Sequence, residues 1–163
     1  MFQTATEKFH SFKHRFVFGG TSAIITILAL IVGLDASANA RVNIIVSILL
    51  IAVADNISDC LGIHIYQEAE GLTAKELLVS FLTNFTTRFC ISVLFVLLVL
   101  ILPLRWAVIS SLILGFFLLS SISCLIARDK GANPYSTVGT HIVVAAAVIL
   151  ASHILGTWIA RIL

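Results

Sequence analysis

Ile44-Ile45-Val46-Ser47-Ile48-Leu49-Leu50-Ile51-Ala52-Val53-Ala54-Asp55-Asn56-Ile57-Ser58-Asp59-Cys60-Leu61-Gly62-Ile63 carries no charges other than its two aspartates. It is as long as a membrane-spanning helix, which needs about 20 apolar residues. Asp55 and Asp59 are four residues apart, so on a helix they share one face, about one turn from each other. An ionisable group at membrane depth costs about 3 kcal/mol unless it is paired, faces a cavity or carries function. Two on one face need a reason.

The whole chain has the same character. Of its 163 residues 60% are hydrophobic and 11% are charged, where a soluble domain carries about 25% charge. The mean hydropathy is +1.11. The composition indicates an all-α integral membrane protein made of one transmembrane domain. It leaves no room for a large soluble domain or a disordered linker. The formal charge of +2 sits mostly at the flanks of apolar runs, which is topology information rather than a nucleic-acid signature.

Five spans follow, at about 16–34, 42–66, 80–103, 106–127 and 138–162. Before them, Phe2, Phe9, Phe12 and Phe16 recur near a helical period among basic residues. That pattern predicts a short amphipathic helix lying at the membrane interface. The first apolar run is longer than a signal-peptide core, so it reads as a transmembrane helix despite the small residues at 36–40. Within it, Ser22, Thr26, Ala29 and Gly33 form a stripe that lets a second helix approach closely, in the same subunit or across a dimer. Thr73 and Glu76 have capping-box spacing ahead of the third span. The apolar run from Phe89 to Leu104 is too short to cross alone, so the third helix must begin near Ser80. This places Ser80, Asn84 and Arg88 on one face. Trp106 and Trp158 occupy interfacial positions.

Basic residues orient the chain. With the N-terminus inside, the inner side holds Lys8, Lys13, Arg15, Lys75, Arg128 and Lys130, and the outer side holds Arg41, Arg105 and Arg161. The expectation is an inside N-terminus and an outside C-terminus. Cys60, Cys90 and Cys124 lie in apolar stretches without metal-site spacing and read as small buried hydrophobes. No HExxH, phosphate-binding glycine loop or nucleophile–base pair is present, so the sequence points away from an enzyme.

Several stretches resemble the vacuolar iron transporter family. The segment Phe16-Val-Phe-Gly-Gly-Thr-Ser-Ala-Ile-Ile-Thr-Ile-Leu-Ala-Leu-Ile-Val-Gly-Leu34 is similar to that family's first helix, with Gly19, Thr26, Ala29, Leu30, Gly33 and Leu34 on matching positions. Ser58, Leu61 and Gly62 match its second helix, Ser80-Phe81-Leu82 the start of its third, and Ser152-His153-Ile154-Leu155-Gly156 a motif of its fifth. The resemblance implies five helices, an inside N-terminus, a homodimer, and proton-coupled movement of Fe²⁺ or Mn²⁺. The departures fall at the ion site. The family's helix-1 aspartate falls on Ser22, its helix-2 methionine falls on Asp59, and its glutamate-rich cytosolic insert is missing. Small size without that insert suggests a prokaryotic plasma membrane rather than an organelle.

Two readings of the acidic stretch stand. In the first, Asp55, Asp59, Asn56 and Ser58 offer hard oxygen ligands to a transported divalent cation. Ser22, Thr26, Asn84, Arg88 and His153 then support the path, and Glu68 and Glu70 attract cations at the inner mouth. No permanently bound cofactor is expected, and the partners are the bilayer and a second copy. In the second, the chain is a non-transporting scaffold or partner subunit, and Asp55, Asp59 and Arg88 are a structural ion-pair network. One arginine cannot neutralise two carboxylates, and the position of Arg88 decides between the readings.

Overall fold

The computed structural model describes the backbone of residues 5–129 and 131–162 and the side chains of residues 19–129 and 131–162. Phe2, Lys130 and the side chains of the N-terminal lead lie outside the described residues. Five helices make up the rest: α1 (Ala5–Leu34), α2 (Ala40–Ala69), α3 (Ala74–Ile101), α4 (Leu104–Asp129) and α5 (Pro134–Ile162). Helices α2 to α5 are each long and apolar enough to cross a membrane, and α1 contributes a shorter apolar stretch, Gly19–Leu34. Among the described residues there is no strand. The chain is therefore a multi-pass, all-α membrane protein.

The helix ends are closed by local chemistry, and α2 and α3 run past their apolar segments at the loop that joins them. At the end of α1 the Ser37 hydroxyl donates to the Leu34 carbonyl at 2.8 Å. Between α2 and α3, Gly71 adopts φ +77°, and the Thr73 N–H donates to Glu76 Oε2 at 3.0 Å to complete the expected capping box. Leu102 is extended, with φ −92° and ψ 150°, as the residue before Pro103 must be. Pro134 opens α5 at the position where a missing N–H costs nothing. The N-terminal lead is not a separate helix: from Ala5 it continues into α1 without a break.

Helix α1 is the centre of the bundle. It touches each of the other four, and Ile24, Ile27, Leu28 and Ile31 on it are fully buried. The small-residue stripe is used inside the chain. A Cβ added to Gly156 of α5 would collide with the Gly33 carbonyl oxygen of α1, so the two backbones cross with no side chain between them. Elsewhere α5 is peripheral, with Ala145 its one buried residue. The outward faces of the helices carry large apolar side chains such as Ile113, Phe117, Trp106 and Trp158, the surface a bilayer requires.

Candidate functional site

Helix α2 is not a regular α-helix through its length. Ile51–Asp55 forms a single π-turn, a feature that often marks functional positions. The residues α2 buries are Ala40, Ile44, Ile48, Ala52, Asn56 and Cys60, one at every fourth position. In an unbroken α-helix a stripe at that spacing drifts by about 160° between residues 44 and 60. One extra residue in a turn takes back about 100° of it. The π-turn thus keeps the stripe against α3 and delivers Asp55 and Asp59 to the same neighbour.

That neighbour is Arg88. It comes from the face of α3 that also carries Ser80, Asn84 and Ser92, all buried. The guanidinium is 2% exposed. Its Nη2 donates to Asp55 Oδ2 at 2.7 Å, and its Nη1 lies 2.6 Å from Asp59 Oδ2 and 3.0 Å from the Ser22 hydroxyl of α1. Three helices meet at one cation. Asp55 and Arg88 lie near the midpoints of α2 and α3, about 20 Å along the axis from either end at about 1.5 Å per residue. The cluster is therefore midway along both helices.

Its charge does not balance. Arg88 supplies one positive charge and the two aspartates supply two negative ones. The carboxylates are also not sealed in, since the Asp55 and Asp59 side chains keep 45% and 39% of their exposure. One oxygen of each carboxylate is held by Arg88, while the outer side of the pair faces away from the chain. A second network lies beside the first. The Asn56 amide nitrogen donates to the Phe85 carbonyl at 3.0 Å and reaches the Ala52 carbonyl at 3.3 Å. The Asn84 amide nitrogen reaches Cys60 Sγ at 3.3 Å, and Cys60 Sγ lies 3.6 Å from Asn56 Oδ1. The two asparagines are linked through the thiol and not directly.

The structure brings together some of the residues singled out in the sequence and separates others. Asp55, Asp59, Arg88 and Ser22 converge, and Asn84 continues the polar face one turn away. Asn56 is buried and its amide is committed to α3 backbone, while Ser58 is exposed on another side of α2. The four residues expected to form the ion's ligand set are thus not gathered as one shell. Among the described residues no group of three or more His, Cys, Asp or Glu side chains is placed to hold a metal. Thr26 is half-buried on α1. His153 is exposed on α5, which packs mainly on α1 and α4, away from the cluster. Glu68 and Glu70 are exposed at the α2–α3 loop end.

Three elements escaped the sequence reading. The π-turn had a signal in the every-fourth stripe from Ile44 to Cys60. Arg41, whose Nη2 donates to the Leu102 carbonyl at 2.7 Å and pins α2 to the end of α3, had none beyond its position at a helix start. His141 Nδ1 lies 2.7 Å from the buried Ser123 hydroxyl. That hydroxyl also lies 2.6 Å from the Leu119 carbonyl. No protein-family model, curated protein or solved structure matches the chain.

Proposed function

We propose that the chain is a membrane transporter for divalent cations of the Fe²⁺/Mn²⁺ class, with Asp55 and Asp59 as its ion-responsive centre and Arg88 as the built-in competitor for the same oxygens. One observation carries this reading: the cluster holds two carboxyl groups on one guanidinium midway along α2 and α3, a formal charge of −1. A neutral Asp–Arg pair would suffice to brace three helices. The second carboxylate adds a cost of about 3 kcal/mol at membrane depth, which a proton or a cation relieves. Hard carboxylate oxygens suit the divalent cations named.

The same arithmetic favours a homodimer. Two chains contribute a charge of −1 each, which one divalent cation neutralises when the exposed sides of the Asp55/Asp59 pairs face each other. Within a single chain, by contrast, a divalent cation turns −1 into +1. The cation then displaces Arg88 from at least one carboxylate as it binds, and the return of Arg88 releases it.

A second reading has its own support. Arg88 already contacts both carboxylates, and Asn56, Cys60 and Asn84 lock α2 to α3 beside it, as a non-transporting scaffold would require. Proteoliposomes separate the two. Transport requires Mn²⁺ or Fe²⁺ flux by the wild-type protein under a proton gradient, and loss of that flux in Asp55→Asn and Asp59→Asn proteins that still fold. Absence of wild-type flux in either direction gives the case to the scaffold.

A further inference from the structure

We propose that the α2–α3 loop half of the bundle contains a narrow water-filled seam leading to the Asp55/Asp59/Arg88 cluster, and that the opposite half is closed by apolar packing. The loop end is the inner one by the basic-residue count. The proposal deepens the transport reading by giving its centre one open side, but it stands on different atoms.

The polar face of α3 runs toward the loop as Arg88, Asn84, Ser80 and Glu76, one residue per turn. Asn84 and Ser80 are each 1% exposed, yet Asn84 Oδ1 and Ser80 Oγ have no hydrogen-bond partner among the described residues. Gln67 is half-buried at the loop end of α2, and its Oε1 atom is inaccessible and without a partner among the described residues. A buried polar atom left unsatisfied costs about 1–3 kcal/mol, and such atoms in native proteins are met by ordered water. These three lie at successive levels between the loop and Arg88, which is the arrangement of a water chain. The seam narrows at Asn84, because a Cβ on Gly19 of α1 would collide with Asn84 Oδ1. Only a glycine there lets α1 close over the amide without displacing it.

Beyond Arg88 the character changes within one turn. Ser92 spends its hydroxyl on the Arg88 carbonyl at 2.9 Å. After it come Phe95 and Val99 of α3, Ile27 and Ile31 of α1, and Ile44 and Ile48 of α2, each fully buried. Among the described residues no buried polar side chain interrupts that plug. Ser111 Oγ, which is also unpartnered, belongs to α4 and stands outside the α1–α2–α3 seam.

Cys60 is a native reporter, since its thiol lies in the seam against Asn84. The test uses Cys90→Ala/Cys124→Ala protein in sealed vesicles, with the loop side identified by labelling of exposed Lys75. Ag⁺, small enough to follow a water chain, is applied to one side, and free thiol is then titrated with maleimide after denaturation. The seam predicts loss of Cys60 labelling with Ag⁺ on the loop side and full labelling with Ag⁺ on the other. With Cys60→Ala added, Ser80→Cys behaves as Cys60 does, and Val99→Cys keeps its label from both sides. Cys60 protected equally from both sides, or from neither, overturns the proposal. If the altered protein does not fold, hydroxyl-radical footprinting of the wild type decides: a hydrated seam oxidises Cys60, and oxidation no greater than at Phe95 refutes it. No flux is read in either assay. A wet seam without transport leaves this inference standing and removes the transport reading, and a dry seam with transport does the reverse.

Discussion

Replacing Arg88 and the two aspartates in turn separates a brace from a charge-unbalanced centre. Arg88→Gln removes the cation that touches Asp55 Oδ2 at 2.7 Å and Asp59 Oδ2 at 2.6 Å, leaving two carboxylates facing one amide. Removing one partner of a buried ion pair costs about 3–5 kcal/mol. The carboxylates here are more than a third exposed, which places the expected loss near the lower end, about 3 kcal/mol. At about 2–4 °C per kcal/mol for a chain of this size, the midpoint of thermal unfolding falls by roughly 6–12 °C. Asp59→Asn and Asp55→Asn behave differently, because each leaves a neutral pair with Arg88. Their expected change is below about 1 kcal/mol in either direction, since the surplus charge goes with the lost contact. The double Asp55→Asn/Asp59→Asn protein then strands a guanidinium that is 2% exposed, and it loses as much as Arg88→Gln does. Adding Arg88→Gln to it restores part of the loss. Trp106 and Trp158 are both exposed on the outer faces and report unfolding in detergent by fluorescence. If either single aspartate change costs as much as Arg88→Gln, both carboxylates are structural and the surplus-charge reasoning fails.

Two further changes probe the packing around the site. Gly156→Ala drives a methyl group into the Gly33 carbonyl where α1 and α5 cross, and overpacking of that kind costs about 1–3 kcal/mol. Gly62→Ala, whose methyl group would meet nothing within 4 Å, should instead raise stability by roughly 0.5–1 kcal/mol, and the pair is compared by thermal unfolding. Ser123→Ala removes the hydroxyl partner of His141 Nδ1. It is expected to cost about 1 kcal/mol, read as a lowered unfolding midpoint that His141→Phe relieves in the double variant.

The number of spans was legible because hydrocarbon thickness sets a length, and length survives in any apolar sequence. The polar face of α3 was legible for a related reason: Ser80, Asn84 and Arg88 are conspicuous only because everything else near them is oily. The centrality of α1 was not. In a membrane the outer surface is as apolar as the interior, so Ile24 and Ile31, which are fully buried, look no different from Ile113, which is 68% exposed. Helices α2 and α3 extend toward each other past the expected bounds, to Ala69 and from Ala74, because the turn at Gly71 and the cap at Glu76 are decided by local bonds, not by hydropathy. Asn56 was misplaced in the expected ligand shell for a geometric reason. It follows Asp55 directly, and adjacent helical residues point about 100° apart, so once Asp55 faces Arg88 the amide has to face the backbone of α3.

On the transport reading, charge arithmetic sets how many cations the centre takes up, and this can be counted. A single chain holds −1 at the cluster, so one proton brings it to zero and one divalent cation overshoots to +1. Two chains with their exposed carboxylates facing hold −2, which one divalent cation cancels. The expected stoichiometry is therefore one Mn²⁺ per two chains for a dimer. In Arg88→Gln protein each chain holds −2 and binds one Mn²⁺ by itself, so the ratio doubles. Equilibrium dialysis with purified protein of known oligomeric state gives the ratio directly. Asp59→Asn sharpens the test, because it leaves a neutral cluster and should bind none. Binding of one Mn²⁺ per wild-type chain, undiminished in Asp59→Asn, would mean that the cation sits elsewhere and that the Arg88 cluster is only a brace.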